Sequence, residues 1–195
     1  MPAPRKTTRI TSPPEGFLYG DEFITTDEEN ELASHIRNLP LKEFEFQGYE
    51  ARRRVISFGW RYNFGDAAIT RADPIPKFLL PLRTRAAQFA GLEPDDFPHV
   101  LVTEYSAGTP IGWHRDRGVF ADVVGVSLLS GCPFRLRRRT PEGWERFTLT
   151  LEPRSVYLLR GVVRDQWEHS IPAVESLRYS VTFRSLRSQT HAVQS

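Results

Sequence analysis

Apolar residues recur at helical spacing in the first part of the chain. Leu32, Ile36 and Leu39 form one stripe that ends before Pro40. The stretch Thr26–Glu29 fits a capping box at the start of this stripe. The pattern therefore predicts a first amphipathic helix.

A second helix is predicted from Asp73 to Gly91, because a proline follows its first residue and a glycine ends it. Pro81 lies inside this segment, so we expect a kink or a break into two pieces. The apolar positions of this helix are Phe78, Leu79, Leu82, Ala86 and Phe89.

The rest of the apolar pattern is typical of short strands. The segment 17–24 is predicted to be an edge strand, and Thr140–Gly143 has the composition of a hairpin turn. Two helices followed by many short strands predict an α+β fold with a β-sandwich or barrel. The other predicted strands are 44–46, 53–58, 99–105, 123–130, 133–139, 145–151, 154–160 and 178–187.

The chain has 195 residues, and residues 17–187 most simply form one domain. We expect residues 1–16, which are rich in Pro, Thr and Arg, to be a flexible leader, and residues 188–195 to be a flexible tail. No apolar run approaches the roughly 20 residues that span a bilayer, and no apolar segment of a secretory signal follows the basic N-terminus. Cys132 is the single cysteine, which excludes an intrachain disulfide and a thiolate metal cluster. We expect a cytoplasmic monomer without a membrane partner.

Charge changes this picture only locally. The chain is 26% charged with a net charge of +2, which does not by itself indicate a nucleic-acid partner. Three of its 26 Lys and Arg residues are lysines, which leaves 23 arginines. The runs Arg52–Arg54 and Arg135–Arg139 have the chemistry of bidentate phosphate binding. A codon bias towards arginine on solvated strands would produce the same runs, so both interpretations stay open.

The candidate chemistry begins at His114 and Asp116, with His169 downstream. Residues i and i+2 of a strand point to one face, so His114 and Asp116 would face one metal while Trp113 and Arg115 face away. Two imidazoles and one carboxylate form the facial triad of non-haem iron(II) oxygenases, which leaves positions open for a co-substrate and dioxygen. A His-x-Asp pair with a later histidine is common by chance, so the neighbouring residues must show whether it is a metal site.

A polar stripe follows the third candidate ligand. Arg178, Ser180, Thr182 and Arg184 share one face of a predicted strand. Arginine is seldom buried without a partner, and a bound anion would supply one. The alternative is an exposed edge face near the end of the chain.

Three sequence blocks, in this order, resemble the AlkB family of iron(II)- and 2-oxoglutarate-dependent oxygenases. The resemblance covers about residues 50–187. The blocks are Tyr105-x-x-Gly108-x-x-Ile111-x-Trp113-His114-x-Asp116, Trp167-x-His169-Ser170-Ile171-Pro172 and Arg178-x-Ser180-x-Thr182-Phe183-Arg184.

The resemblance implies a fold, a site and a reaction. The fold would be a double-stranded β-helix, or jelly roll, over about residues 97–187, with two supporting N-terminal helices and a substrate-recognition lid over about residues 41–70. An N-methyl group on a nucleobase would be hydroxylated with dioxygen and lost as formaldehyde, while 2-oxoglutarate gives succinate and carbon dioxide. The implied iron(II) ligands are His114, Asp116 and His169, and the implied 2-oxoglutarate contacts are Tyr105, Arg178, Ser180 and Arg184.

Two positions depart from the family pattern. Thr103 stands where many members have an asparagine that contacts 2-oxoglutarate, so we expect weakened binding of the co-substrate. Gly118 stands where the bacterial repair enzyme has an acidic residue that helps to recognise the damaged base. The chain resembles several animal homologues more closely there, and their targets vary, so the resemblance does not fix the substrate.

The implied lid contains an aromatic segment, Ser57–Phe64, and residues 59–65 are predicted to form an aromatic loop between two glycines. Aromatic faces stack on an extruded base with a gain of roughly 1–3 kcal/mol per base. We therefore expect Trp60 and Tyr62 to contact a flipped base and Arg61 to contact phosphate. Alternate aromatic residues on a strand also pack inward, so Trp60 is equally well explained as a core residue.

Three functions remain open on these residues. The first is demethylation of an alkylated base in single-stranded or locally flipped DNA or RNA, with Arg137–Arg139 near the backbone. The second is an AlkB-like oxygenase that acts on tRNA, a protein side chain or a small molecule. The third, a non-catalytic β-sandwich that binds through its arginine stripe, is disfavoured because it would not need all the candidate ligands.

Overall fold

The computed structural model describes residues 6–46, 49–62 and 69–187, and it gives the backbone alone for 6, 44–46, 49–52, 61, 62 and 69. Two β-sheets pack face to face in the described part of the chain, and two helices cover the outside of the larger sheet. This arrangement confirms the predicted α+β class with a jelly-roll core. None of the described helices has the length and apolar character needed to cross a membrane.

The N-cap of helix α1 (Thr26–Arg37) lies one residue before the predicted cap. Thr25 is the N-cap, its hydroxyl accepts from the Glu28 amide, and the Glu28 carboxylate accepts from the Thr25 amide. The capping box is therefore Thr25 with Glu28 rather than Thr26 with Glu29. Ile36 of this helix is fully buried against the larger sheet.

The second helical segment divides, as Pro81 predicts. A 3₁₀ turn (Lys77–Leu79) leads into helix α2 (Leu80–Ala90), with Pro81 in its first turn, where no amide donor is needed. Gly91 ends the helix in the left-handed conformation, at φ 65°. The helical segment starts at Lys77 rather than at Asp73. A third, unpredicted helix, α3 (Gly161–Gln166), follows later.

The larger sheet has seven strands, and its central strands carry the polar stripe and its neighbours. Its spatial order is β2-β12-β9-β14-β7-β4-β3, so the predicted edge strand near Phe17 does lie at an edge. The strands are β2 (Phe17–Gly20), β3 (Lys42–Phe46), β4 (Tyr49–Phe58), β7 (His99–Tyr105), β9 (Phe120–Leu128), β12 (Val156–Leu159) and β14 (Arg178–Leu186).

The smaller sheet has five strands in the order β1-β11-β10-β13-β8. The predicted hairpin turn is present, with Thr140 opposite Gly143. The short strands β8 and β13 were not predicted as strand segments of their own. The strands are β1 (Lys6–Arg9), β8 (Ile111–His114), β10 (Cys132–Thr140), β11 (Gly143–Leu151) and β13 (Glu168–Ile171).

Two segments that were expected to be irregular form strands. Lys6–Arg9, placed in a flexible leader by its composition, pairs in parallel with β11, because the unpaired amides and carbonyls of that edge offer hydrogen bonds that outweigh weak local preference. The aromatic segment expected to be a loop contains β5 (Trp60–Tyr62), which pairs with β6 (Ile69–Arg71). The rest of the predicted aromatic loop, residues 63–65, and the predicted tail at 188–195 lie outside the described residues.

The core has two layers. One layer lies between the helices and the larger sheet, and it includes Leu79, Val102 and Phe183. The other lies between the two sheets, where Phe134 of β10 packs against Tyr157 of β12 at a ring-centroid distance of 4.9 Å. The second layer ends where β8 and β13 lie opposite β14, and this open end holds the candidate site.

Candidate active site

His114 and His169 lie side by side on neighbouring strands. They are directly paired across β8 and β13, and their ring centroids are 4.2 Å apart. Nδ1 of His114 lies 2.9 Å from the carbonyl oxygen of Gly112. Because a carbonyl only accepts, Nδ1 carries the proton, and the lone pair of His114 is on Nε2. This tautomer suits a metal ligand.

Asp116 lies in the loop after β8, not on the strand as the i, i+2 argument expected. Its carboxylate still lies close to the histidines, with Oδ2 3.9 Å from Nε2 of His169. Oδ1 of Asp116 accepts from Nε and Nη2 of Arg184, at 3.1 and 2.8 Å. The Arg184 and Asp116 side chains are only 11% and 9% exposed, so this ion pair is shielded from water.

Burial and charge set the protonation states that metal ligation requires. Burial lowers the pKa of His114 and, to about 3, the pKa of His169, so both rings are neutral. Burial alone would raise the pKa of Asp116, but the charge of Arg184 holds that pKa below its usual range. Two neutral imidazoles and one carboxylate therefore meet at one point.

These donors fit iron(II) in type and protonation state. In the described part of the chain, however, no three His, Cys, Asp or Glu side chains stand in a geometry that could hold a metal ion. The Asp116 carboxylate, moreover, already accepts two hydrogen bonds from Arg184. An ion at this point would have to share that carboxylate with the arginine.

Arg178 is the second notable group, and it is 1% exposed. Its Nε donates to the hydroxyl of Ser127 at 3.1 Å, and its guanidinium lies 5.1 Å from the centre of the Tyr105 ring. Its Nη1 is buried without a hydrogen-bond partner. A buried cation with an unused donor is costly, and a carboxylate ligand would remove that cost.

The other residues of the predicted co-substrate pocket lie along the same face. Ser180 and Thr182 are buried between the two arginines of β14, so the alternative of an exposed edge face is wrong. Ser180 lies opposite Thr103 of β7, and Tyr105 lies opposite Arg178. The residues that the resemblance groups around 2-oxoglutarate thus lie on two neighbouring strands, β7 and β14.

The lid residues are only partly described. Trp60 is half-buried, and the Arg71 guanidinium lies 5.6 Å from its ring centre. The side chains of Arg61 and Tyr62 lie outside the described part of the structure. Base contacts by these residues therefore remain predictions.

Several residues near the site were missed by sequence reasoning. Arg164 is 4% exposed, donates to the carbonyls of Arg117 and Phe120, and helps to lower the pKa of Asp116. Ser127 holds Arg178. No spacing signal distinguishes such residues, because their partners are about 45 to 50 positions away.

Arg53, noted only as part of a basic run, is also close to the site. Its charge disfavours protonation of His114, and its own pKa is lowered mainly by burial. Its neighbour Arg54 forms a two-bond ion pair with Glu104 instead. Consecutive residues of the same run thus have different surroundings, because they lie on opposite faces of β4.

The chain matches a known oxygenase family over most of its length. A model described as 2OG-Fe(II) oxygenase superfamily matches residues 27–184. A protein of Arabidopsis thaliana named alkylated DNA repair protein ALKBH8 homolog is 27% identical over 203 residues, which cover 88% of this chain and 56% of that protein. The uncharacterized protein L905 of Acanthamoeba polyphaga mimivirus is 26% identical over 188 residues, which cover 88% of this chain and 85% of the viral protein.

Among solved structures, that of OsALKBH1 superposes with a TM-score of 0.69. The match covers 90% of this chain and 99% of the other chain at 14% identity, which establishes a shared fold. The chain spans little more than half the length of the plant relative, so the activity of that whole protein does not transfer to it directly.

Proposed function

We propose that the chain, which belongs to the 2OG-Fe(II) oxygenase superfamily, oxidatively demethylates alkylated nucleobases in DNA or RNA. Membership makes the protein a 2-oxoglutarate-dependent dioxygenase of the AlkB type, which uses iron(II), 2-oxoglutarate and dioxygen. The nucleobase as substrate, and formaldehyde, succinate and carbon dioxide as products, are the proposed part.

His114, Asp116 and His169 would hold the iron(II) ion. When bound, the ion and 2-oxoglutarate supply the oxidising chemistry. The two histidines offer neutral nitrogens, and Asp116 offers a carboxylate that Arg184 orients. Arg164 holds the nearby chain in place through the carbonyls of Arg117 and Phe120.

Arg178 would bind the distal carboxylate of 2-oxoglutarate, assisted by the Tyr105 hydroxyl. The unpartnered Nη1 of this buried arginine is the observation that carries the proposal. Ser180 and Arg184 would complete the co-substrate pocket at the keto-acid end, and Thr103 would add a hydroxyl where many relatives have an amide.

Trp60 and Tyr62 would stack on an extruded base, and Arg61 would contact its phosphate. Support for a nucleobase comes from the plant relative, whose name assigns it to repair of alkylated DNA. A second candidate is an oxygenase acting on tRNA, a protein side chain or a small molecule. It is favoured by Gly118, two positions after Asp116, because the bacterial repair enzyme has there an acidic side chain that helps to recognise the damaged base.

The test is formaldehyde release from oligonucleotides that contain 1-methyladenine or 3-methylcytosine, with iron(II), 2-oxoglutarate and ascorbate. His114→Ala should abolish release. His35→Ala is the matched control, because His35 lies on α1, stacked on Phe78 away from the site, and should retain release.

The products separate the possible outcomes. Formaldehyde that depends on His114 supports the proposal. Succinate without formaldehyde keeps the oxygenase and rejects the methylated base as substrate. If freshly loaded protein forms neither succinate nor formaldehyde, the assignment of the site is contradicted.

A further inference from the structure

The outer face of the smaller sheet carries a row of stacked arginine and tryptophan side chains. Phe134 and Leu136 of β10 point into the core, so the alternate arginines of this strand point outward. The Arg137 guanidinium lies 4.3 Å from the ring centre of Trp113 and 4.4 Å from that of Trp144. Arg135 lies 5.2 Å from Trp113, and Arg139 lies 5.3 Å from Trp144. We call these five residues the arginine–tryptophan ladder.

The ladder is strongly basic for a sheet face. On β10, β11 and β13 this face has four arginines, Arg135, Arg137, Arg139 and Arg146, against one acidic residue, Glu168, a difference of +3. Glu168 pairs with Arg137 at 2.6 Å. Among the described residues, no ion pair engages the other three arginines, and Nε of Arg146 is buried without a partner.

Stacking fixes the arginines in a defined row. A guanidinium that lies over an indole keeps its N–H edge available for hydrogen bonds. Arg135, Arg137 and Arg139 are two positions apart on one strand, so their attachment points are about 7 Å apart. This spacing is close to that between successive phosphates of a nucleic-acid strand.

We propose that the arginine–tryptophan ladder binds the phosphate backbone of a single-stranded nucleic acid outside the catalytic site. The occupant follows from charge complementarity and from the regular spacing of the three guanidinium groups, of which Arg137 gives its Nε to Glu168 and Arg135 gives its Nε to Ser170. The proposal rests on the nucleic-acid partner of the proposed function, but not on its chemistry. The ladder lies behind the catalytic strands, since Trp113 precedes His114 and Glu168 precedes His169 in the chain.

The experiment is binding of a labelled, unmethylated single-stranded oligonucleotide by the full chain across a series of salt concentrations. For a single strand, the slope of log affinity against log salt changes by about 0.7 for each phosphate contact. We expect Arg139→Ala to reduce the slope by about 0.7 and Arg135→Ala/Arg139→Ala by about 1.4. Arg139→Lys should keep the wild-type slope with lower affinity, because charge remains while the stacked plane is lost.

The matched control is Arg37→Ala/Lys77→Ala, which removes two exposed basic residues on the helical side and leaves the slope unchanged. A ladder double variant that binds with the wild-type slope would overturn the inference. So would the absence of salt-dependent binding by the wild-type protein. Ladder variants that lose binding to phosphatidylserine vesicles but keep oligonucleotide binding would also overturn it.

Turnover of a methylated trinucleotide separates this inference from the proposed function. Such a substrate is too short to occupy both surfaces, so Arg139→Ala should demethylate it at the wild-type rate. If no methylated substrate gives formaldehyde while the ladder variants lose salt dependence, the proposed function fails and the ladder stands. If the ladder variants bind the oligonucleotide as the wild-type protein does, and formaldehyde release is normal, the ladder inference fails and the proposed function stands.

Discussion

Strand β14 has a buried arginine near each end, and the two arginines differ in whether a carboxylate pairs with them. At one end, Arg184 donates twice to the buried carboxylate of Asp116. At the other end, Arg178 is buried more deeply and donates only to a serine hydroxyl, which leaves Nη1 without a partner. Both arginines point to the same face of one strand, so their difference comes from the neighbouring strands.

The difference shows how one strand can serve two tasks. Arg184 has its counter-charge within the protein, so its contribution is to stability and to the orientation of Asp116. Arg178 lacks a counter-charge in the described part of the chain, so we expect a bound anion to pair with its Nη1. Three substitutions test this contrast.

Replacing Arg184 with methionine should cause the largest loss of stability. The change leaves Asp116 as an uncompensated buried charge, which typically costs about 3–5 kcal/mol. Chemical denaturation measures the free energy of unfolding. Arg83→Met is the control, because its pair with Asp95 is largely exposed at the aspartate and should matter little. Equal losses for the two variants would contradict a structural role for Arg184.

Replacing Arg178 with methionine should affect the co-substrate rather than the fold. A buried guanidinium replaced by an apolar group of similar volume is often neutral or stabilising, so the unfolding free energy without 2-oxoglutarate should not fall. Loss of one partner from a buried charged pair costs about 2 kcal/mol or more, which predicts a rise of about 30-fold or more in the KM for 2-oxoglutarate. Succinate formation at varied 2-oxoglutarate measures this KM. An unchanged KM would refute the assignment of Arg178.

Replacing Ser127 with alanine should give the smallest effect at the same end of the strand. Arg178 would lose its hydrogen bond to the hydroxyl and would be less firmly oriented, at a cost of about 1 kcal/mol, or roughly fivefold in the KM for 2-oxoglutarate. Ser185→Ala is the matched control, because it also removes one hydrogen bond, the one from the Asp122 amide, on β14 itself. If both variants raise the KM equally, the effect is not transmitted through Arg178.

Much of the fold was predictable because local pattern and tertiary environment agree. The strands around 99–105 and 178–187 and the hairpin at Thr140–Gly143 combine apolar periodicity with clear turn chemistry. The division of the second helix followed from the fixed backbone angle of Pro81. The jelly-roll architecture itself came from the family resemblance, since periodicity does not give the order of strands in space.

The remainder depends on contacts between distant residues. β8 and β13 have four residues each, too few for a periodic signal, and their polar side chains belong to the site. The candidate ligands and the polar stripe were predictable from spacing and resemblance. The engagement of Asp116 by Arg184 was not, because it joins residues 68 positions apart. The sequence around Arg178 and Arg184 also does not show which of the two pairs with a carboxylate of the protein.

The parallel pairing of Lys6–Arg9 with β11 also bears on self-association. An open sheet edge presents unpaired amides and carbonyls that a second molecule can extend, and short covering strands prevent this. β11 has nine residues and already pairs with β10 along its other side. Lys6–Arg9 cover the first four residues of β11 on this side, Gly143–Arg146, so we expect them to limit association through that part of the edge. A shortened form that begins after them should remain folded at the catalytic end but lose solubility.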